Sequence, residues 1–133
     1  MRNKKMYKLI GVELPTRKIA PRLIGADLSG MDLHGIDLYG GSLANINFQG
    51  TILRGANLRD SFLEKANLRG ADLRKADLSG ALLCSACLDK ADLRKADLRG
   101  ADLRWSSLIE ADLRGADLRE ADLREAKTEG ARF

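Results

Sequence analysis

The cysteines and the histidine are the side chains of this sequence best suited to chemistry, and they are few. Cys84 and Cys87 form one CxxC motif, and His34 is the only histidine among 133 residues. A zinc site usually takes four protein ligands, which this set does not supply. A redox CxxC motif relies on a helix N-terminus that lowers a thiol pKa. This motif instead lies within a five-residue repeat, which places it at a β-corner. We therefore expect two surface thiols, a solvated histidine, no metal or cofactor, and no enzymatic activity.

The composition is that of a soluble protein with an unusual interior. Hydrophobic residues make up 44% of the chain but aromatic residues only 5%, so leucine and alanine must fill the space that aromatic side chains occupy in most domains. No apolar run approaches the roughly 20 residues that span a bilayer, and the N-terminus lacks the apolar stretch and cleavage site of a signal peptide. We expect a soluble cytoplasmic protein without a membrane span or a disulfide framework.

A period of five residues organises the chain from Pro21 onward. Every fifth position from Leu23 to Leu123 is leucine except Phe48. Alanine stands two residues before most of these centres, Asp or Asn directly before, and Arg often directly after, while Gly is the commonest residue in the remaining slot. The consensus unit is Ala-Asp-Leu-Arg-Gly.

A five-residue period fits neither a straight helix nor a straight strand. On a helix the leucines would spiral around all sides, and on a strand they would alternate between the two faces. The pattern becomes consistent when the chain turns a corner once per unit. Leu and the Ala two residues before it then point inward, Asp and Arg point outward, and Gly or a small polar residue forms the turn.

These units resemble the A(D/N)LXX motif of the pentapeptide-repeat family, without a break in register over residues 21–133. The resemblance implies an all-β fold, a right-handed quadrilateral β-helix (a solenoid) with four pentapeptides per coil, in which residues twenty apart stack. It implies about five to six coils for residues 23–133.

Residues 1–22 differ from the repeat body in charge and register. They hold seven basic residues and one acid, a net of +6, so the remaining 111 residues carry −2. Leu9, Leu14 and Ile19 are also five residues apart, but they are offset by one from the main register. We interpret this segment as a basic arm that forms a degenerate first coil or a cap. The alternative is a short capping helix, whose length two prolines would restrict.

The stacking that the resemblance implies groups the outward side chains into columns. One face carries a column of basic residues with acids two positions away; this basic strip consists of Arg54, Arg74, Arg94, Arg114, Lys75 and Lys95. Its structural interpretation is interleaved ion pairs on a solvated face. Its functional interpretation is binding of nucleic acid or another anionic surface, although no aromatic residues accompany the strip for stacking on bases.

Another face departs from the motif by placing apolar residues in or near outward slots. This apolar patch consists of Phe62, Leu82, Cys84, Trp105 and Ile109. Exposed apolar patches commonly mark binding sites, and Trp is a frequent hot spot of protein interfaces. The alternative is drift of the repeat, with Phe62 and Leu82 packing only on each other. The patch is the best candidate in the sequence for a protein-binding site.

The last units predict an exposed end. The repeat continues through Leu123, Thr128 and Phe133, which would leave the final coil uncovered. Bare strand edges invite pairing, and solenoids usually need caps. We expect a second copy to cover this end, which predicts a homodimer.

Three functions are compatible with these features. The first is a non-catalytic, rigid scaffold that binds a protein partner of unknown identity through the apolar patch. The second is a DNA mimic that modulates a topoisomerase, as resistance proteins of the family do, although a net charge of −2 and ten outward arginines disfavour it. The third is binding of nucleic acid or an anionic surface through the basic arm and the basic strip.

Overall fold

The structure, a computed structural model, describes residues 21–133, and their backbone winds as a coil. The regular pairing consists of isolated bridges at one residue in five, beginning with Arg22 to Ser42 and ending with Asp112 to Arg132. Every bridge is parallel and joins residues twenty apart, so one turn of the coil holds four five-residue units. The described residues form no helix and no strand longer than a bridging residue. Residues 21–133 therefore include no helix that could cross a membrane.

Each unit turns its corner in a four-residue β-turn that begins at the leucine. In one such unit the N–H of Ala76 donates to the carbonyl of Leu73 at 3.0 Å, and Lys75, the third residue of the turn, has a φ of 58°. A positive φ at the third residue alone is the type II pattern. This corner position holds glycine in eleven units, but Lys, Glu, Trp and other side chains in eleven more. The latter all project into solvent, which avoids clashes but leaves a cost of about 1–2 kcal/mol for the left-handed conformation.

Three backbone hydrogen bonds per unit connect neighbouring coils. Leu73 donates to the carbonyl of Asp92 at 2.8 Å, and Lys75 donates to that of Arg94 at 3.1 Å. In the opposite direction, Asp92 donates to the carbonyl of Ala71 at 3.0 Å. Since these bonds satisfy the groups around every corner, the coil is held together without long strands.

The Asp or Asn before each centre residue accepts the N–H of the residue that follows that centre. Asp72 Oδ1, for example, lies 3.3 Å from the backbone nitrogen of Arg74. All the Asp and Asn side chains at this position make the same contact two residues onward. Asp and Asn are the side chains short enough to form this local turn, which explains their abundance in the repeat.

Leucines stacked in columns fill the axis, as the sequence predicts. Leu53, Leu73 and Leu93 are fully buried, one above another, and Ala71 and Ala91, two residues before the latter two, are buried as well. Three alanine positions hold hydroxyl side chains instead, and each hydroxyl donates to a backbone carbonyl: Thr51 to Leu28, Ser61 to Leu58 and Ser106 to Leu103. No buried side-chain polar atom of the described residues lacks a hydrogen-bond partner.

The sequence predicts a separate N-terminal segment and an exposed C-terminal end, and the structure describes only the second of these in full. Residues 1–20 lie outside the described residues, so the interpretation of residues 1–22 as an arm, degenerate coil or cap stays a prediction; the ladder itself includes Arg22. In the last described units the leucine position becomes accessible: Leu123 is half-buried, and Thr128 and Phe133 are exposed.

We expect Leu73→Ala to lower the free energy of unfolding by about 2–5 kcal/mol, because it removes buried methyl groups from the middle of the stacked column. The control is Thr128→Ala, at the same repeat position but exposed, which should change stability by less than about 0.5 kcal/mol. Urea denaturation followed by circular dichroism measures both. Equal effects of the two substitutions would contradict the axial core.

Candidate functional site

The structure places the predicted apolar patch on one face and around one corner of the coil. Phe62 bridges to Leu82 in the next coil, so the two side chains occupy stacked outward slots where the motif has aspartate. Phe62 is 46% exposed, whereas Leu82 and Cys84 are half-buried. Outward apolar side chains therefore cross at least two coils of this face.

Trp105 is the exception among the corner residues. It is the one aromatic residue with a positive φ in the described chain, at 57°, and 59% of its surface is exposed. The Arg104 guanidinium carbon lies 5.3 Å from the centroid of the indole, and the same guanidinium pairs with Asp102 at 2.7 Å. A bulky residue with a positive φ is a genuine outlier. Because the indole is mostly exposed, hydrophobic burial does not offset the cost of this backbone conformation. The sequence could not show that Arg104 holds the indole.

Cys84 is poorly suited to nucleophilic chemistry. Burial, followed by a hydrogen bond to Asp102, raises the pKa of its thiol, which favours the unreactive protonated form. Cys87 belongs to the adjacent face, where it bridges Asn67 and Ser107. Among residues 21–133, no cluster of three or more His, Cys, Asp or Glu side chains could hold a metal ion.

Ile109 lies on this adjacent face, just beyond the Trp105 corner, and is half-buried. Its N–H donates to Asp89 Oδ1 at 3.0 Å, and Ser107 Oγ donates to the same oxygen. Arg69 completes the set with an Nη1 to Oδ2 distance of 3.5 Å to Asp89. Sequence reasoning overlooked Asp89; the signal was an acid in a slot where the motif has arginine.

The arginines of the basic strip are engaged in a ladder of carboxylates. Arg74 pairs with Asp72 of its own unit at 2.7 Å and approaches Asp92 of the next coil at 3.5 Å. Arg94 repeats this arrangement one coil further on. Arg54 has Ile52 before its leucine and pairs across the coils with Asp72 at 3.1 Å instead.

The other basic residues of this face are either paired with an aspartate or exposed to solvent. Arg114 pairs with Asp112 at 2.6 Å, and His34 contacts Asp32 at 2.7 Å. Lys75 and Lys95 are exposed at the corner, one coil apart. The ion pairs give the strip a structural role, and binding of an anionic partner to it stays a prediction.

A profile of the pentapeptide repeats matches the chain at residues 22–55, 52–88, 61–100, 86–124 and 96–133. Together with the parallel bridges between residues twenty apart, this match shows that the chain belongs to the pentapeptide-repeat family, whose fold is a right-handed β-helix.

Solved structures of other pentapeptide repeat proteins are similar to this chain. One, from the thylakoid lumen of Arabidopsis thaliana, is 34% identical with a TM-score of 0.71, and the match covers 71% of this chain and 66% of that chain, slightly less than two thirds of its length. Another, from the cyanobacterium Cyanothece 51142, is 25% identical with a TM-score of 0.47, covering 99% of this chain and 95% of that chain. No curated protein matches.

The Asp–Arg pairs predict a loss of stability in acid. Hydrogen bonds from Arg114 hold the pKa of Asp112 at about 2, and those from Arg119 hold the pKa of Asp117 at about 2, against an ordinary value of 3.8. Because the folded-state pKa is the lower one, these carboxylates stabilise the fold above pH 3.8, and this contribution is lost as the pH falls to about 2.

We expect the urea midpoint to be nearly constant from neutral pH to about pH 5 and to fall between about pH 4 and pH 2. The double variant Asp112→Asn/Asp117→Asn keeps an acceptor for each backbone N–H but removes the titrating groups. It should therefore show a smaller drop over this range than the unmodified protein. An identical acid dependence would exclude these two carboxylates as contributors.

Proposed function

We propose that this protein is a non-catalytic interaction module, a rigid rod of five to six coils that presents the apolar patch to a protein partner. The cytoplasm stays the expected location. The proposal rests on the exposure of the Trp105 indole at a corner where the backbone is left-handed.

The position of Trp105 argues for binding rather than for folding. Eleven other units place glycine at this corner, where glycine adopts a positive φ at no steric cost. A tryptophan there has the same left-handed conformation as ten other non-glycine corner residues, at a cost of about 1–2 kcal/mol, but it alone among them exposes a large aromatic ring. Tryptophan is enriched among interface hot spots.

Short side chains lie next to Trp105 in the coil below. In the twenty-residue register, Ser85 lies below Trp105 at the corner, and Cys84 lies below Arg104 on the adjoining face. These two short side chains lie between Arg104 and Trp105 on one side and the longer Glu64 and Lys65 on the other. Since Arg104 Nη2 lies 3.9 Å from Cys84 Sγ, we infer that the partner packs an apolar side chain on Leu82, beside Cys84, rather than over the sulfur.

The alternative functions have less support. A DNA mimic needs a strongly negative surface, whereas residues 23–133 carry a net charge of −2 and many of their carboxylates are paired with arginine. Binding of an anionic surface would use the basic strip, whose arginines already pair with aspartates. The basic arm lies outside the described residues, so its part in such binding stays a prediction.

A homodimer through Leu123, Thr128 and Phe133 is a separate proposal, supported by the exposed Phe133 at 63%. Multi-angle light scattering over a range of concentrations should show a mass near twice 14.6 kDa, and Phe133→Asp should shift the population towards monomer. A monomer at all concentrations in the unmodified protein would contradict the dimer.

The apolar patch is tested by binding to a purified partner identified by affinity capture from the native host. Trp105→Gly should weaken binding by about thirtyfold, which is the loss of a hot spot of about 2 kcal/mol. Its thermal midpoint should be unchanged or higher, because glycine relieves the strain at this corner. Phe62→Ala should also weaken binding without unfolding the protein.

The matched control is Tyr39→Ala, which removes another exposed aromatic side chain, 52% accessible, from a different face of the rod. Binding should be unchanged by this control. If Trp105→Gly leaves the dissociation constant unaltered, or if Tyr39→Ala weakens binding as much, the apolar patch is not the site.

A further inference from the structure

We propose that Asp89 is a positioning residue of the apolar patch: from the coil below, it supplies the carboxylate that position 107 lacks and so holds the segment that carries Trp105 and Ile109. This inference rests on the proposed function for its biological meaning. Its structural content is independent of any partner.

Position 107 breaks the rule that stabilises the turns of the repeat. Where Asp or Asn precedes the centre residue, its side chain accepts the N–H two residues onward, as Asp77 does for Ser79 at 2.9 Å. Position 107 is serine, and the N–H that would need this acceptor belongs to Ile109. A half-buried N–H without an acceptor costs about 1–3 kcal/mol, so an acceptor supplied from elsewhere stabilises this turn.

Asp89 provides that acceptor from the preceding coil. Its Oδ1 takes the N–H of Ile109 at 3.0 Å and the hydroxyl of Ser107, while Arg69 of the coil below lies 3.5 Å from Oδ2. The Asp89 side chain is only 17% exposed. One carboxylate thus joins three successive coils beside the Trp105 corner.

This arrangement leaves positions 107 and 109, next to the Trp105 corner, without charge while the N–H of Ile109 keeps an acceptor. The consensus would place Asp at 107 and Arg at 109, a charged pair next to Trp105. The chain has serine and isoleucine there instead, and the acid sits one coil lower, covered by its three partners. Ser107 is two residues from Trp105 and is tied to the coil below by its N–H, which donates to the carbonyl of Ala86 at 2.9 Å. Asp89 and Ala86 together therefore fix the segment that leaves the Trp105 turn.

The experiment uses Trp105 as its own reporter, because it is the only tryptophan in the chain. Asp89→Ala should lower the thermal midpoint by about 4 °C and raise the rapidly decaying part of the Trp105 fluorescence anisotropy by about twofold, since local motion on the nanosecond timescale is released. Asp89→Asn, which keeps an acceptor oxygen, should retain the anisotropy of the unmodified protein.

The decisive variant restores the in-unit acceptor. Ser107→Asp alone should lower the thermal midpoint, because its carboxylate faces that of Asp89. Combined with Asp89→Ala, it should instead bring back the midpoint and the anisotropy to near those of the unmodified protein, a strong non-additivity between neighbouring sites. Failure of the double variant to recover either property would overturn the proposal.

Asp77→Ala is the matched control, because Asp77 likewise accepts one backbone N–H and one serine hydroxyl, but on another face. It should lower the thermal midpoint similarly and leave the Trp105 anisotropy unchanged. An equal change in anisotropy would show general loosening of the coil and would also overturn the proposal. Neither measurement involves a partner, so a failed binding assay would reject the docking role of the patch and leave the positioning role of Asp89 standing.

Discussion

The pairing of each residue with the residue twenty positions further on is the constraint on which the whole structure depends. In this register the parallel backbone groups meet and leucine also stacks on leucine along the axis. A slip by one residue would bring Asp and Arg into the axis, where an unpaired charge is costly. Backbone hydrogen bonding and the hydrophobic effect therefore favour the same register. Either of them by itself would specify the register less strictly than the two do together.

The same register imposes an electrostatic problem, because it stacks equivalent outward residues at the spacing of neighbouring strands, about 4.8 Å. Aspartates stacked in this way would repel one another. Arginines pairing within and between coils relieve the repulsion on the basic strip, as Arg74 does between Asp72 and Asp92. In the neighbouring column a neutral residue separates two of the acids: Asn57 lies between Asp37 and Asp77 and donates to Asp37 at 3.1 Å. Most surface charges are thus used by the fold itself.

Functional specificity then falls to the units that depart from the motif. Phe62 and Leu82 stand where other units have the aspartate that accepts the turn N–H. Trp105 stands at a corner with a positive φ, where eleven other units have glycine. These departures gather around one corner of the coil, and a pre-formed support reduces the entropy that binding must overcome. Asp89 shows how the coil can accommodate such a departure. Its carboxylate, in the coil below, accepts the N–H of Ile109, for which Ser107 provides no acceptor.

The five-residue period was enough to predict which side chains are buried, because no other arrangement of this pattern hides the leucines. It also identified Phe62 and Trp105 as outward residues, since they occupy slots that the motif fills with polar side chains or glycine. The contacts of Asp89 with Ser107 and Ile109, the pairing of Arg54 with Asp72, and the stacking of Arg104 on Trp105 depended on the tertiary structure. The first two join residues about twenty positions apart, and the third depends on side-chain rotamers, so a local pattern carries no record of them. Burial repeats with the period of the chain, whereas polar partners are chosen by distances between side-chain atoms that only the wound coil establishes.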